Sequence, residues 1–204
     1  MVRRALPAIA LVTVTALAAW LLFFALPRWY GARPVTGGSP PPARPAEPER
    51  KITATLYFVS EDGLSLVGVQ REVPFGEPIG EQARRIVEAQ LGAAPSPLAS
   101  AVPGGTTLRG LYVTEPDCDP AEPTCKRDAF VDLSIEARTR HTGGSLDELF
   151  TIYTIVNAVT VNLPAISRVQ ILVDGREADT LAGHVDLRRP LEKNLTWVRP
   201  DKEA

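Results

Sequence analysis

The chain has 204 residues and carries 22 Lys and Arg against 24 Asp and Glu, a net charge of −2. The block from Lys51 to Arg199 is more acidic, with 15 basic and 20 acidic residues and a net charge of −5. That balance excludes the basic footprint of a nucleic-acid-binding protein, and no nucleic-acid partner is expected.

An unbroken apolar run extends from Ala8 to Leu26, with Arg3 and Arg4 before it and Arg28, Trp29 and Tyr30 after it. As a helix rising about 1.5 Å per residue it would reach about 28 Å, close to the hydrocarbon thickness of a bilayer. A cleaved signal peptide shares the basic start and apolar core. Its apolar part, however, is about 7 to 15 residues long and closes at a small-x-small site. This run is longer, and Trp29 and Tyr30 suit an interfacial aromatic belt. Residues 1–30 are therefore expected to be a single transmembrane anchor. Basic residues flank it almost equally; the cysteine pair and the linker favour the N-terminus inside and the domain extracytoplasmic, either periplasmic or at the cell surface.

Residues 31–50 contain Pro34, Pro40, Pro41, Pro42, Pro45 and Pro48. Proline removes backbone donors and biases the chain to polyproline II, so this stretch reads as a semi-rigid spacer extending up to about 60 Å. Residues 51–199 have the length of one domain, and 200–204 form a short tail.

Within that domain, Ile52 to Val59 alternates, Glu61-Asp62-Gly63 offers a turn, and Leu64 to Val69 returns, which predicts a hairpin. Ile79, Ala83, Ile86, Val87 and Leu91 recur at helical spacing, with Gly92 placed for a left-handed C-terminal residue. A Pro-rich passage from Ala93 to Gly105 follows. Thr106–Thr114 and Ala129–Ser134 then read as a second strand pair joined by a long loop.

Ser145-Leu146-Asp147-Glu148 has the form of a capping box and opens a second helix. Leu146, Leu149, Phe150, Tyr153, Val156, Thr160 and Leu163 share one face of it, and Ile152, Ile155 and Val159 form a second apolar stripe. That is too much apolar surface for one buried face. The stripe is either buried on two sides of the helix or meets another protomer or protein, which makes Ile152, Ile155 and Val159 the candidate interaction residues. Arg168–Val173 reads as a strand, Asp174-Gly175 as a turn, and His184–Leu187 as an extended return. The order predicts an α+β fold: two ββα-like units forming a mixed or antiparallel sheet with helices packed on one face, preceded by the transmembrane helix.

Leu56-Tyr57-Phe58 with Asp62-Gly63, Leu66-Val67, Arg71-Glu72-Val73-Pro74, Ile86-Val87-Glu88-Ala89-Gln90-Leu91, Val102-Pro103-Gly104-Gly105-Thr106, Val131-Asp132-Leu133-Ser134, Gly144-Ser145, Val169 to Gly175 and Gly183 to Leu187 resemble, in this order and spacing, the GerMN domain of sporulation and spore-germination proteins. The resemblance implies an envelope domain without known catalytic activity, related in fold to ring-building modules and serving assembly or scaffolding. The chain departs from that pattern at Glu115–Arg127, an insert containing Cys118 and Cys125. A bridge between them would close an eight-residue loop, contribute roughly 2.5 kcal/mol in the chain-entropy model, and indicate an oxidising compartment. A metal site is not expected there, since the insert lacks histidine and the C-x₂-C knuckle.

The competing function from another class is a wall hydrolase using two carboxylates. Asp132, Asp174 and Asp186 are available, but Asp174-Gly175 is turn chemistry and Asp132 lies in an alternating strand, where it faces water or caps a neighbour. His184 near Asp186 lacks a nucleophile motif; His141 reads as a loop residue. Gly143-Gly144 before a helix is a weak anion signal, because the capping box would use the same donors. No catalytic residue and no cofactor are therefore expected. The reading is a membrane-anchored assembly module whose partners are envelope proteins or a second copy of itself, with cell-wall glycan or a small ligand as the alternative.

Overall fold

The computed structural model describes residues 20–21, 50–116 and 126–200. The chain divides into two units, 1–47 and 48–204, and every strand and helix named here belongs to the second. Its first strands, β1 (Lys51–Val59) and β2 (Leu66–Pro74), pair antiparallel from Lys51↔Pro74 to Val59↔Leu66. The connection turns at Gly63, whose φ of 73° suits a residue without a side chain. Ser60 donates its hydroxyl to Asp62 at 2.6 Å, and Asp62 accepts from Leu64 N at 3.1 Å.

Helix α1 (Ile79–Gln90) comes next, then β3 (Leu108–Val113), β4 (Arg127–Leu133), a short α2 (Glu136–Thr139), the long α3 (Ser145–Asn162), β5 (Ile166–Val173), β6 (Arg176–Glu177) and β7 (Leu191–Glu192). β3 and β4 are antiparallel, with an irregularity between Leu108 and Gly110, whereas β4 and β5 are parallel and joined by the helical crossover. β6 and β7 both pair antiparallel with β5. Asp174 (φ 54°) and Gly175 (φ 76°) link β5 to β6, both at the positive φ that a type I′ hairpin requires.

The expected fold class is corrected in its arrangement. The two strand pairs do not share a sheet: β1–β2 forms its own two-stranded sheet, and β3 to β7 form a five-stranded one. α1 and α3 lie against both, and the reason is legible in α3. Ile152, Ile155, Val156 and Val159 pack with Val131, Leu133, Val169 and Ile171 of the larger sheet. Phe150 and Ala158 pack with Ala54, Leu56, Phe58 and Leu66 of the hairpin. A helix apolar on two faces needs a layer on each side, and the hairpin supplies the second.

The transmembrane part of the expectation is also corrected. No helix among the described residues is long and apolar enough to cross a membrane, and residues 1–30, apart from Trp20 and Leu21, lie outside the described residues. Three local expectations change as well. Gly92 is not at positive φ, and α1 closes instead through Leu91 N donating to Val87 O at 2.9 Å. His184–Leu187 is not a strand; the segments that return along β5 are Arg176–Glu177 and Leu191–Glu192. The capping box does not form, since α3 starts at Ser145 with Gly144 as its N-cap and without a side-chain cap bond.

Candidate functional site

The carboxylate that the capping box would have used does something else. Glu148, with none of its surface exposed, accepts from the backbone N–H groups of Leu181 at 2.8 Å, Ala182 at 2.9 Å and His184 at 2.7 Å, and its Oε2 lies 3.1 Å from His184 Nδ1. Burial alone would push its pKa up, but the three backbone donors and the His184 side chain outweigh that and hold it below the ordinary glutamate value. One charged side chain thus fixes the segment from Leu181 to His184 onto the start of α3. The sequence signal was available. Glu148, Ile152, Ile155 and Val159 are spaced by four, three and four, so the carboxylate heads the apolar stripe and must be buried with donors.

The stripe itself is interior. Ile152 is 1% exposed, and Ile155 and Val159 are 0% exposed, so these candidate interaction residues are core of the folded domain and not a surface for a partner. Cys118 and Cys125 lie outside the described residues.

Asp132 is nearly buried and works as a turn cap. Its Oδ1 accepts from Gly175 N at 2.7 Å and its Oδ2 from Arg109 Nε at 3.3 Å, while Arg109 Nη1 reaches Asp174 at 2.8 Å. Asp186 pairs with Arg188 through two bonds of 2.9 and 2.7 Å, and the guanidinium holds its carboxyl far below the usual range. His141 lies between Thr151 Oγ1, 3.2 Å from its Nε2, and Gly143 N, which donates to its Nδ1 at 3.1 Å. The structure therefore does not bring Asp132, Asp186, His141 and His184 together around a common point; each is tied to a different internal partner. Among the described residues no group of three or more His, Cys, Asp or Glu is placed to hold a metal ion.

The accessible features lie elsewhere. On the outer face of the larger sheet, strand pairing aligns two rows, Tyr112–Phe130–Gln170 and Gly110–Asp132–Leu172, of which Gly110, Asp132 and Gln170 are buried, Phe130 and Leu172 half-buried and Tyr112 exposed. Tyr112 is 66% exposed, and its ring lies across Gly110, where a Cβ would come within 3.1 Å of it. The Arg168–Asp128 pair, with bonds of 2.8 and 2.7 Å, flanks this face. A groove of about 780 Å³ is lined by polar residues that include Glu115, Lys126, Asp128, Glu192 and Lys193, together with Val161, Pro164, Ile166 and Leu195. A smaller cavity of about 370 Å³ lies between the Ala99–Gly104 loop and the start of α3, beside Arg140, His141 and Asp147.

Similarity to known proteins decides the family. Residues 55–179, more than half of the chain, match the family model Germane, described as sporulation and spore germination. This chain belongs to the Germane family. The match begins within β1 and ends just after β6, so it includes both long helices of the Germane domain and all of its strands but β7. Among solved structures, a Clostridium perfringens protein described as a candidate lipoprotein aligns at TM-score 0.47 and 22% identity, covering 72% of this chain and 92% of that one. The tandem GerMN domains of the Bacillus subtilis sporulation protein GerM align at TM-score 0.46 and 18% identity, covering 72% of this chain and 46% of theirs. The first GerMN domain of the same protein aligns at TM-score 0.45 and 17% identity, covering 70% and 96%. No curated protein matches the chain.

Proposed function

We propose that this Germane domain is a non-catalytic assembly module of the cell envelope that docks onto other proteins. The observation that supports this reading is the commitment of its chemical side chains. Glu148 is spent on a loop, Asp132 on a turn, Asp186 on Arg188 and His141 on Thr151 and Gly143. Each of these groups is held by its own structural partner, and they do not converge on a common point as an acid–base pair would. What remains for recognition is surface: the edge strand β3, the outer sheet face with Tyr112, and the groove. Cross-linking of the full chain in intact cells tests the proposal. It should capture defined envelope proteins or a second copy of the chain, and recovery of background alone would overturn it.

Tyr112 favours a second reading. An exposed tyrosine ring lying across a glycine is a stacking platform for the apolar face of a sugar. Co-sedimentation with purified cell wall separates the two. Binding that Tyr112→Ala reduces at least about tenfold would support the glycan reading, and no sedimentation would remove it.

A further inference from the structure

Residues 191–199 cross the domain and touch both of its sheets. Leu191 and Glu192 pair with Val169 and Arg168 on the edge of β5. Asn194 then exchanges two bonds with Asn157 of α3: Asn194 N donates to Oδ1 at 3.0 Å, and Asn157 Nδ2 donates to Asn194 O at 2.7 Å. Val198 bridges to Leu66 on the β2 edge, where Leu66 N donates to Trp197 O and Arg199 N donates to Leu66 O, both at 2.8 Å. Arg199 also pairs with Asp62 of the hairpin turn, and the Trp197 ring meets Phe150 edge-on at 6.4 Å.

Yet none of these nine residues is itself buried. Leu195 and Trp197 stay 44% and 39% exposed, and the apolar anchoring is limited to the half-buried Leu191 and Val198 and the edge of the Trp197 ring, so the attachment rests largely on edge hydrogen bonds and one amide pair. β4, by contrast, is paired on both sides and carries the wholly buried Ala129, Val131 and Leu133. A segment with few buried apolar groups and solvent-edge hydrogen bonds opens at lower cost than the core. The family match ends at residue 179, so this segment also lies beyond the part of the chain that the family model describes.

We propose that residues 191–199 are a detachable strap, opening as one unit while β3 to β6 stay folded, and in doing so uncovering the β2 edge at Leu66. Glu192, Lys193 and Leu195 are among the residues lining the 780 Å³ groove, so detachment also opens that groove. The closed form is the resting one, because opening strips the buried Asn157 of both its bonds to Asn194. The groups freed on Leu66 are backbone N–H and C=O on a strand edge, the groups that strand addition uses.

Native-state hydrogen exchange of the full chain, followed residue by residue at rising sub-denaturing concentrations of urea, tests the strap. The amides of Leu66, Asn194 and Arg199 should share one opening and exchange at least about tenfold faster than those of Phe130 and Val131 in β4. Arg199→Pro removes the N–H that reaches Leu66 and the partner of Asp62 at an exposed position. It should speed exchange at Leu66 and Asn194 by about tenfold while leaving Phe130 and Val131 unchanged. Exchange of the three amides only together with β4, exchange of each independently, or equal acceleration of all the surviving amides by the variant would overturn the proposal.

Discussion

Gln90 of α1 binds Tyr57 of β1 as a neighbouring strand would. Its Oε1 accepts from Tyr57 N at 2.8 Å and its Nε2 donates to Tyr57 O at 2.7 Å. Asn162 of α3 repeats the arrangement with Thr55, accepting from its N–H and donating to its C=O, both at 2.8 Å. Two helix-borne amides thereby occupy the edge of β1 that β2 leaves open, which blocks a second chain from pairing there. Gln90→Ala leaves the buried Tyr57 N–H without an acceptor, and a loss of about 2–3 kcal/mol is expected from the midpoint and slope of urea unfolding.

Glu148 makes stability depend on acid. Its folded-state pKa lies below the ordinary value of 4.5, so the stability it contributes is complete above that value and is lost as pH falls through the folded pKa. Glu148→Gln keeps the volume but places an amide N–H₂ against backbone N–H donors. Unfolding measured at pH 7 should show the variant about 3 kcal/mol less stable, with the gap to the unsubstituted protein narrowing as pH falls below 4.5. An unchanged gap over that range would show that Glu148 is not the titrating group.

Ile155 separates core from interface. Because it is wholly buried between Val156, Ile152 and the larger sheet, Ile155→Asp places a carboxylate in an apolar interior and should leave no folded domain by circular dichroism. Ile155→Val should cost only about 1 kcal/mol. A folded, monomeric Ile155→Asp variant would return the stripe to the surface.

Asp132 links β4 to the β5–β6 turn, and its two oxygens have different tasks. Asp132→Asn retains the acceptor for Gly175 N and loses only the partly exposed Arg109 pair, so a change under about 1 kcal/mol is expected. Asp132→Ala strands the Gly175 N–H and should cost about 1–3 kcal/mol in the same unfolding measurement.

The hairpin, the two long helices, the second strand pair and the strand before Asp174-Gly175 were all legible in the sequence. Each is announced by a local signal: alternation in Ile52–Val59, helical spacing from Ile79 to Leu91, and apolar continuity in Val169–Val173. The family was legible for the same reason, because short motifs in a fixed order are a property of the chain alone. β6 is announced only by the Asp174-Gly175 turn before it, and β7 and the role of Asn194 carry no such signal, being set by what lies next to β5.

What the sequence determined by itself was therefore the set of elements, the family and the surplus of apolar surface on α3, since periodicity and composition act over one or two turns of chain. Only the tertiary structure decided where that surplus goes. Ile152, Ile155 and Val159 face the larger sheet because the hairpin, separated from it in space though alike in pattern, covers the opposite side of α3. It likewise decided that Glu148 clamps residues 33 to 36 positions away instead of capping its own helix, because a buried carboxylate takes the strongest set of donors within reach, and the fold brings that set from a distant loop.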